Sequence, residues 1–402
     1  MTTDKPLVLF LCYEQAQGLH YHFADWLAAL LEEEQPGFEI VGLTTPREQE
    51  SGLLDSIRAR GVTNLLVVKS LAEPAVRELL ARAAIVHCQG FRQLAEVHRL
   101  RAEMGAQFQC LISLHFFRNG TPWRIPFANY ASARLLQEAC DVVHFLSPRS
   151  RTEFEECNLL LNPALPCFVF PLGCRAVEFE TERQPAELQR WEYLPTLLSG
   201  RLNLVYLANF TPNKQQGWLI QTLSRILQKH HGVLWLLGDG PERASIQRYV
   251  HQHALSDYVM LPGHIHRAFI PWILTKMDVA VCCSRSENSP FAIMEPLFAG
   301  IPVVSLNVGT AAQLVSDFSS GFLLGNRRSH AEFARKVELL LSDTDLRRQM
   351  SVEAKRFVAA NYTWSKCARK TLAMYRAILP SLANESREQW EFAIPGRAVK
   401  DV

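Results

Sequence analysis

Short apolar runs alternate with longer amphipathic stretches along this chain. Runs at 7–12 (LVLFLC), 38–44 (FEIVGLT), 64–69 (NLLVVK), 84–88 (AIVHC), 109–114 (QCLISL) and 141–146 (DVVHFL) have the length and β-branched content of strands. Between them lie stretches such as 21–34 (YHFADWLAALLEEE), whose apolar positions recur at spacings of three and four, as on a helix with one buried face. Strands apolar at nearly every position are buried on both faces, so the alternation predicts a parallel sheet covered by helices on each side. The alternation pauses across 176–200, a charged stretch with Pro185, Pro195 and Gly200. It restarts with runs at 202–208 (LNLVYLA), 232–238 (GVLWLLG), 258–263 (YVMLPG), 278–283 (DVAVCC), 301–306 (IPVVSL) and 321–324 (GFLL), after which helical periodicity dominates. The expectation is an α/β fold of two doubly wound, Rossmann-like domains with a cleft between the carboxyl ends of their strands. Its parts are a first domain at 1–175, a linker at 176–200, a second domain at 201–362, and a last helix with a polar tail at 363–402.

A length of 402 residues suits two domains. Lys and Arg number 42 against 40 Asp and Glu, a formal net charge of +2. Nothing in that balance draws the chain to nucleic acid or to an anionic membrane, so an anion site has to be local. The ten cysteines form no C-x-x-C pair, and Cys12, Cys110 and Cys282 sit inside strand-like runs. They read as reduced core thiols of a cytoplasmic protein rather than disulfides or a zinc site. The opening MTTDKPLVLFLCYEQ is too short in its apolar run for a secretory leader and reads as a first strand. No run approaches the roughly 18 apolar residues that a membrane span needs.

The candidate chemistry lies in SRSENSPFAIMEPLFAG, residues 284–300. Glu287 stands in a polar turn and Glu295 in an apolar run. Ser289 is the expected N-cap, Pro290 the first helical residue and Gly300 the stop, giving a helix over 290–299 kinked at Pro296. Eight helical positions rise about 12 Å, wider than the roughly 5–9.5 Å between paired glycosidase carboxylates. The spacing instead suits two grips on one elongated ligand, with a phosphate at the helix N-terminus between them. A nucleotide sugar has that layout. Set between Met294 and Leu297, Glu295 also needs a partner of its own.

At 284–304 the sequence resembles the E-x7-E stretch of retaining GT-B glycosyltransferases, glycosyltransferase family 4. Further likenesses are LVYLANFTPNKQQG (204–217), GDGPER (238–243), VMLPGHI (259–265) and NYTWSKCARKTLAMYRAIL (361–379); over 1–175 the likeness is mainly one of pattern. The resemblance implies a GT-B fold and a retaining, metal-independent transfer from a nucleotide diphosphate sugar to a glycan, lipid-linked or small-molecule hydroxyl. No cofactor or nucleic-acid partner is expected, and the protein is expected to be cytoplasmic, with peripheral contact at the membrane's inner face as an option. Glu287 would contact the donor sugar and Glu295 the ribose. Lys214, Asn288, Ser289 and the amides near Phe291 and Ala292 would serve the donor end. Gly18 would let the backbone approach the diphosphate, and His115, after a strand, would complete the site as a catalytic residue with Lys214 and Glu287. The chain departs from the family where Asn209 replaces a usual Arg, and where Gly309, Thr310 and Gln313 replace a glycine pair and a glutamate. The departure at Asn209 leaves a catalytically inactive nucleotide-sugar-binding or scaffold protein as an alternative, and a nucleotide-sugar epimerase on the same fold is another. Arg118, Arg124 and Arg134 interleaved with aromatics over 115–134 suggest an acceptor or membrane-facing surface.

Overall fold

The computed structural model describes residues 5–11, 19–33, 37–44, 61–115, 134–157, 165–174, 184–287, 289–315, 319–325 and 329–379. The chain divides into two compact units, 1–173 with 364–402, and 174–363. Each is built on an all-parallel sheet. In the first, strands β1 (Leu7–Leu11), β2 (Glu39–Thr44), β3 (Leu65–Val67), β4 (Ala83–Cys88), β5 (Gln109–Leu114), β6 (Val142–Phe145) and β7 (Cys167–Val169) lie in the order β3-β2-β1-β4-β5-β6-β7. In the second, β8 (Asn203–Leu207), β9 (Val233–Leu237), β10 (Val259–Gly263), β11 (Val279–Cys282), β12 (Val303–Leu306) and β13 (Gly321–Leu324) lie in the order β10-β9-β8-β11-β12-β13. Strand order reverses between β1 and β4 and again between β8 and β11. At such a switch point the loops leaving the carboxyl ends diverge and open a crevice.

The twelve strands expected from the apolar runs are all present. The strand that the sequence did not betray, β7, is three half-buried residues at a sheet edge between Pro166 and Pro171. Burial of the central strands explains their composition: Val8, Leu9 and Phe10 of β1 and Val279, Ala280 and Val281 of β11 are wholly inaccessible. The stretch expected as a linker, 176–200, carries apolar residues that pack. Over its described part, Leu188 and Leu197 belong to the second core, and Trp191, Tyr193 and Leu194 pack against it. A 3-10 turn, Ala186–Arg190, and a short helix, Leu194–Leu197, carry these apolar residues among charges that hide the pattern.

The last described helix, Trp364–Ile378, belongs to the first unit. It lies against helix Leu19–Glu32, where the Trp26 indole N–H donates to Thr371 Oγ1 at 3.0 Å. Deeper in the same core a chain of hydrogen bonds crosses the sheet. Tyr375 Oη meets His87 Nδ1 at 2.7 Å, and His87 Nε2 meets Ser113 Oγ at 2.7 Å. Ser113 Oγ meets His144 Nδ1 at 2.8 Å, and His144 Nε2 meets the Phe170 carbonyl at 2.9 Å. A carbonyl only accepts, so His144 carries its proton on Nε2. Burial keeps both imidazoles neutral, and with that every earlier donor follows: Ser113 donates to His144, His87 donates from Nε2 to Ser113, and Tyr375 donates to His87. Burial, with His144 and His115 nearby, holds His87 well below the usual range. Burial is also the main cause that pushes His144 down to about 3, against the opposing pull of the Phe170 carbonyl.

Candidate active site

The crevice of the second unit is bounded by the loops after β8 and β11. Asn213 ties the two together. Its side-chain amide donates to the Ser286 carbonyl at 2.9 Å, and its side-chain oxygen accepts from the Ser286 N–H at 3.1 Å. The Asn213 carbonyl accepts from the Arg285 N–H at 2.8 Å. Beneath them Tyr206 donates to the Lys214 carbonyl at 3.1 Å. Its hydroxyl is then the acceptor for Ser284 Oγ, 2.6 Å away. This clamp places the Lys214 ammonium on the Glu287 carboxylate as an ion pair with both side chains mostly buried. Burial alone would lower the Lys214 pKa, but the adjacent carboxylate outweighs it and the ammonium is held above its ordinary range.

The loop after β9 sets the height of this rim. Cβ atoms on Gly238 and Gly240 would lie 2.2 Å from the Ala208 carbonyl oxygen and 2.5 Å from that of Phe210. Both residues have φ near 150° (148° and 154°), which L side chains rarely adopt. The glycines of GDGPER thus let the backbone after β9 press on the backbone carrying Asn209. Asn209 itself is exposed, and its carbonyl accepts from Gln216 Nε2 at 2.9 Å.

The helix that follows β11 runs Phe291–Ala299. Its cap position is Pro290, with extended backbone, and not the expected Ser289. The Ser289 hydroxyl is buried and has no hydrogen-bond partner. Such an orphan group calls for an explanation, and a ligand is one. The first amides, those of Phe291 and Ala292, precede any intrahelical acceptor and mark the positive end of the helix dipole. Of the seven residues between the two glutamates only the last four, Phe291 to Met294, are helical, so the 12 Å rise does not apply to the pair. Glu295 lies one turn into the helix, where the Cα–Cβ bond tilts back toward the N-terminus. The residue is 8% exposed amid Ala292, Ile293, Met294, Pro296, Leu297 and Phe298, all buried. Its partner is Arg267, whose Nη1 lies 3.2 Å from Oε1. Arg267 opens a 3-10 turn, Arg267–Phe269, just after β10.

His115 follows β5 in the first unit, apart from this group in the chain. Its Nε2 lies 2.8 Å from the Gln89 amide oxygen, an acceptor, so that nitrogen carries the proton. Burial pushes it down to about 3, and the ring is neutral. Gly18, Asn288 and residues 116–133 of the basic-aromatic segment lie outside the described residues. The structure thus brings Lys214, Glu287, Ser289, Phe291, Ala292 and Glu295 to one side of one sheet. Arg267, Asn213 and Gln89 were not singled out from the sequence. Asn213 adjoins Lys214 in a polar loop, which is a weak signal; Arg267 is one of several basic residues in GHIHRAF and carries none.

Residues 196–357 match the family described as glycosyl transferases group 1. The chain is 26% identical over 254 residues to the alpha-D-kanosaminyltransferase of Streptomyces kanamyceticus, an alignment covering 63% of this chain and 64% of that protein, so just under two thirds of this relative is spanned. It is 26% identical over 278 residues to the GDP-mannose-dependent alpha-(1-6)-phosphatidylinositol monomannoside mannosyltransferase of Mycobacterium tuberculosis, over 67% of this chain and 70% of that one. A crystal structure of Anabaena HepE in complex with UDP and glucose superposes with a TM-score of 0.73 at 16% identity, over 92% of this chain and 100% of that one. At that identity the likeness is one of fold. The fold is GT-B, two Rossmann-like domains in series. Among the described residues no helix is long and apolar enough to cross a membrane.

Proposed function

We propose that this chain transfers a sugar from a nucleotide diphosphate sugar to a hydroxyl acceptor with retention at the anomeric carbon, as a member of the glycosyl transferases group 1 family that residues 196–357 match. The observation that carries the reading is the order of charges on the second unit. A Lys214–Glu287 ion pair precedes the start of helix Phe291–Ala299, and a second carboxylate, Glu295, lies one turn along it. A diphosphate set at the helix start meets its first amides, the Ser289 hydroxyl and the Lys214 ammonium. The sugar on one side then reaches Glu287, and the ribose on the other reaches Glu295.

In the transfer, the bond from the anomeric carbon to the diphosphate oxygen breaks and a bond to the acceptor oxygen forms. The acceptor proton passes to the leaving phosphate oxygen. Lys214 and the helix start stabilise the charge growing on that leaving group, the role that a cation fills in other transferases, so turnover is expected to survive chelators. His115, buried and neutral in the first unit, keeps the catalytic role that the family resemblance implies for it. Relatives whose names specify kanosaminyl and phosphatidylinositol mannoside transfer fit glycan, lipid-linked or small-molecule acceptors. A lipid-linked acceptor would bring the chain to a membrane surface.

The test is a thermal-shift screen with UDP, GDP, ADP and their sugars, followed by transfer assays with the pair that stabilises. Binding at a hundredfold excess over Kd raises stability by about 2.7 kcal/mol. Glu287→Ala is expected to lower transfer by about tenfold or more while nucleoside diphosphate affinity stays within about threefold. Binding without transfer across broad donor and acceptor panels would identify a binding protein, and loss of nucleotide affinity in Glu287→Ala would exchange the two ends of the ligand.

A further inference from the structure

We infer that Arg267 is the positioning residue of the nucleoside end, holding the Glu295 carboxylate where it accepts the two ribose hydroxyls. The inference rests on the reading above and adds a residue to it. Glu295 is the acidic side chain of an otherwise apolar helix, and its carboxylate lies 3.2 Å from the Arg267 guanidinium. A carboxylate in such surroundings accepts hydroxyl donors well only while ionised, and burial opposes ionisation. A cation held at contact distance counters that and also restricts the rotamer.

Stability alone is a poor reason for the pair. Two mostly buried charges cost desolvation that their attraction only partly offsets, and an apolar pair of similar size is often as stable. The placement of Arg267 is more informative. It stands after β10, at the far side of β9 and β8 from the helix that follows β11. Helix Ile270–Leu274, continuous with its turn, packs on helix Phe291–Ala299. The carboxylate is thereby drawn from its own helix toward the β10 side of the crevice. Since Glu287 lies at the β11 loop, the donor runs along the carboxyl edge of the sheet, sugar toward β11 and nucleoside toward β10. The sequence spacing of the two glutamates does not contain that direction.

The experiment compares Kd for whichever of UDP, GDP or ADP stabilises the protein with Kd for its 2′,3′-dideoxy counterpart. Wild type is expected to prefer the ribose form by about 10–100-fold, the worth of hydrogen bonds to a charged group. In Arg267→Ala and Arg267→Gln the preference should fall below about threefold, and Arg267→Lys should restore part of it. Glu295→Ala should remove it equally, and adding Arg267→Ala to Glu295→Ala should remove nothing more. A merely structural bridge would weaken both nucleotides alike and leave their ratio intact. A folded Arg267→Ala or Arg267→Gln that keeps the full wild-type ratio overturns the role of Arg267 and leaves the proposed transfer standing. A wild type that binds no nucleoside diphosphate overturns the parent reading and this one together.

Discussion

Three of the histidines buried in the first unit couple its stability to pH. His115 and His144 are pushed down to about 3 and His87 well below its usual range, burial being the first cause in each case. An unfolded chain takes up the same protons near pH 6.5. Below that pH the unfolded state binds more protons than the folded one, so stability falls as pH drops toward 3; above it the contribution is flat and fully present. The expected loss is about 2 kcal/mol per histidine between about pH 7 and 5. Urea denaturation at the two pH values measures it. His115→Gln should shrink the difference by about one histidine's share, and an unchanged difference would mean that His115 is protonated in the folded protein. The same scale explains what could be seen of Glu295. Its apolar neighbours in sequence demanded a partner, but Arg267 is 28 positions away and reaches it only through folding.

Elements differ in how much of themselves they show. Central strands are legible because burial on both faces forces nearly continuous apolar runs, as in β1 and β11. Strand β7 was not, because three half-buried residues between prolines carry no such run. Helix Phe291–Ala299 was expected from its Gly300 stop, and Gly300 does close it with φ of 79°. Its start moved by one residue because Pro290 took the extended backbone of a cap. Helix Trp364–Ile378 is held by bonds that have no local signature, among them that from Trp26 to Thr371 across 345 positions and that from Tyr375 to His87 across 288. Tyr375→Phe keeps the ring and removes the first donor of the chain, leaving His87 Nδ1 without its bond. The expected cost is about 1–3 kcal/mol of stability. It should appear as a lower denaturation midpoint at unchanged m-value; a midpoint equal to wild type would remove Tyr375 from the network.

Two cores, one in each compact unit, organise the chain. In the proposed reading the second unit carries Lys214, Glu287, Ser289, Phe291, Ala292 and Glu295 of the donor site. Hydrogen exchange with and without the stabilising nucleoside diphosphate should therefore show added protection over 208–216, 284–299 and the turn at 267–269. Equal protection in the β4 to β6 core of the first unit would contradict a donor site built on the second. The chain's alternation of apolar runs and amphipathic stretches was enough to reveal two doubly wound sheets, because covering both faces of parallel strands is a local demand repeated along the chain. One stretch of seventeen residues was enough to nominate the proposed site, because carboxylates, a helix start and a glycine stop are written next to each other. Which side chains meet was settled only by folding. Strand order decides that the loops after β8 and β11 stand together, and that brings Lys214 to Glu287 across 73 positions. The turn after β10 brings Arg267 to Glu295 for the same reason: contact across a sheet depends on which strands are neighbours, and adjacency in space leaves no mark on the spacing of residues along the chain.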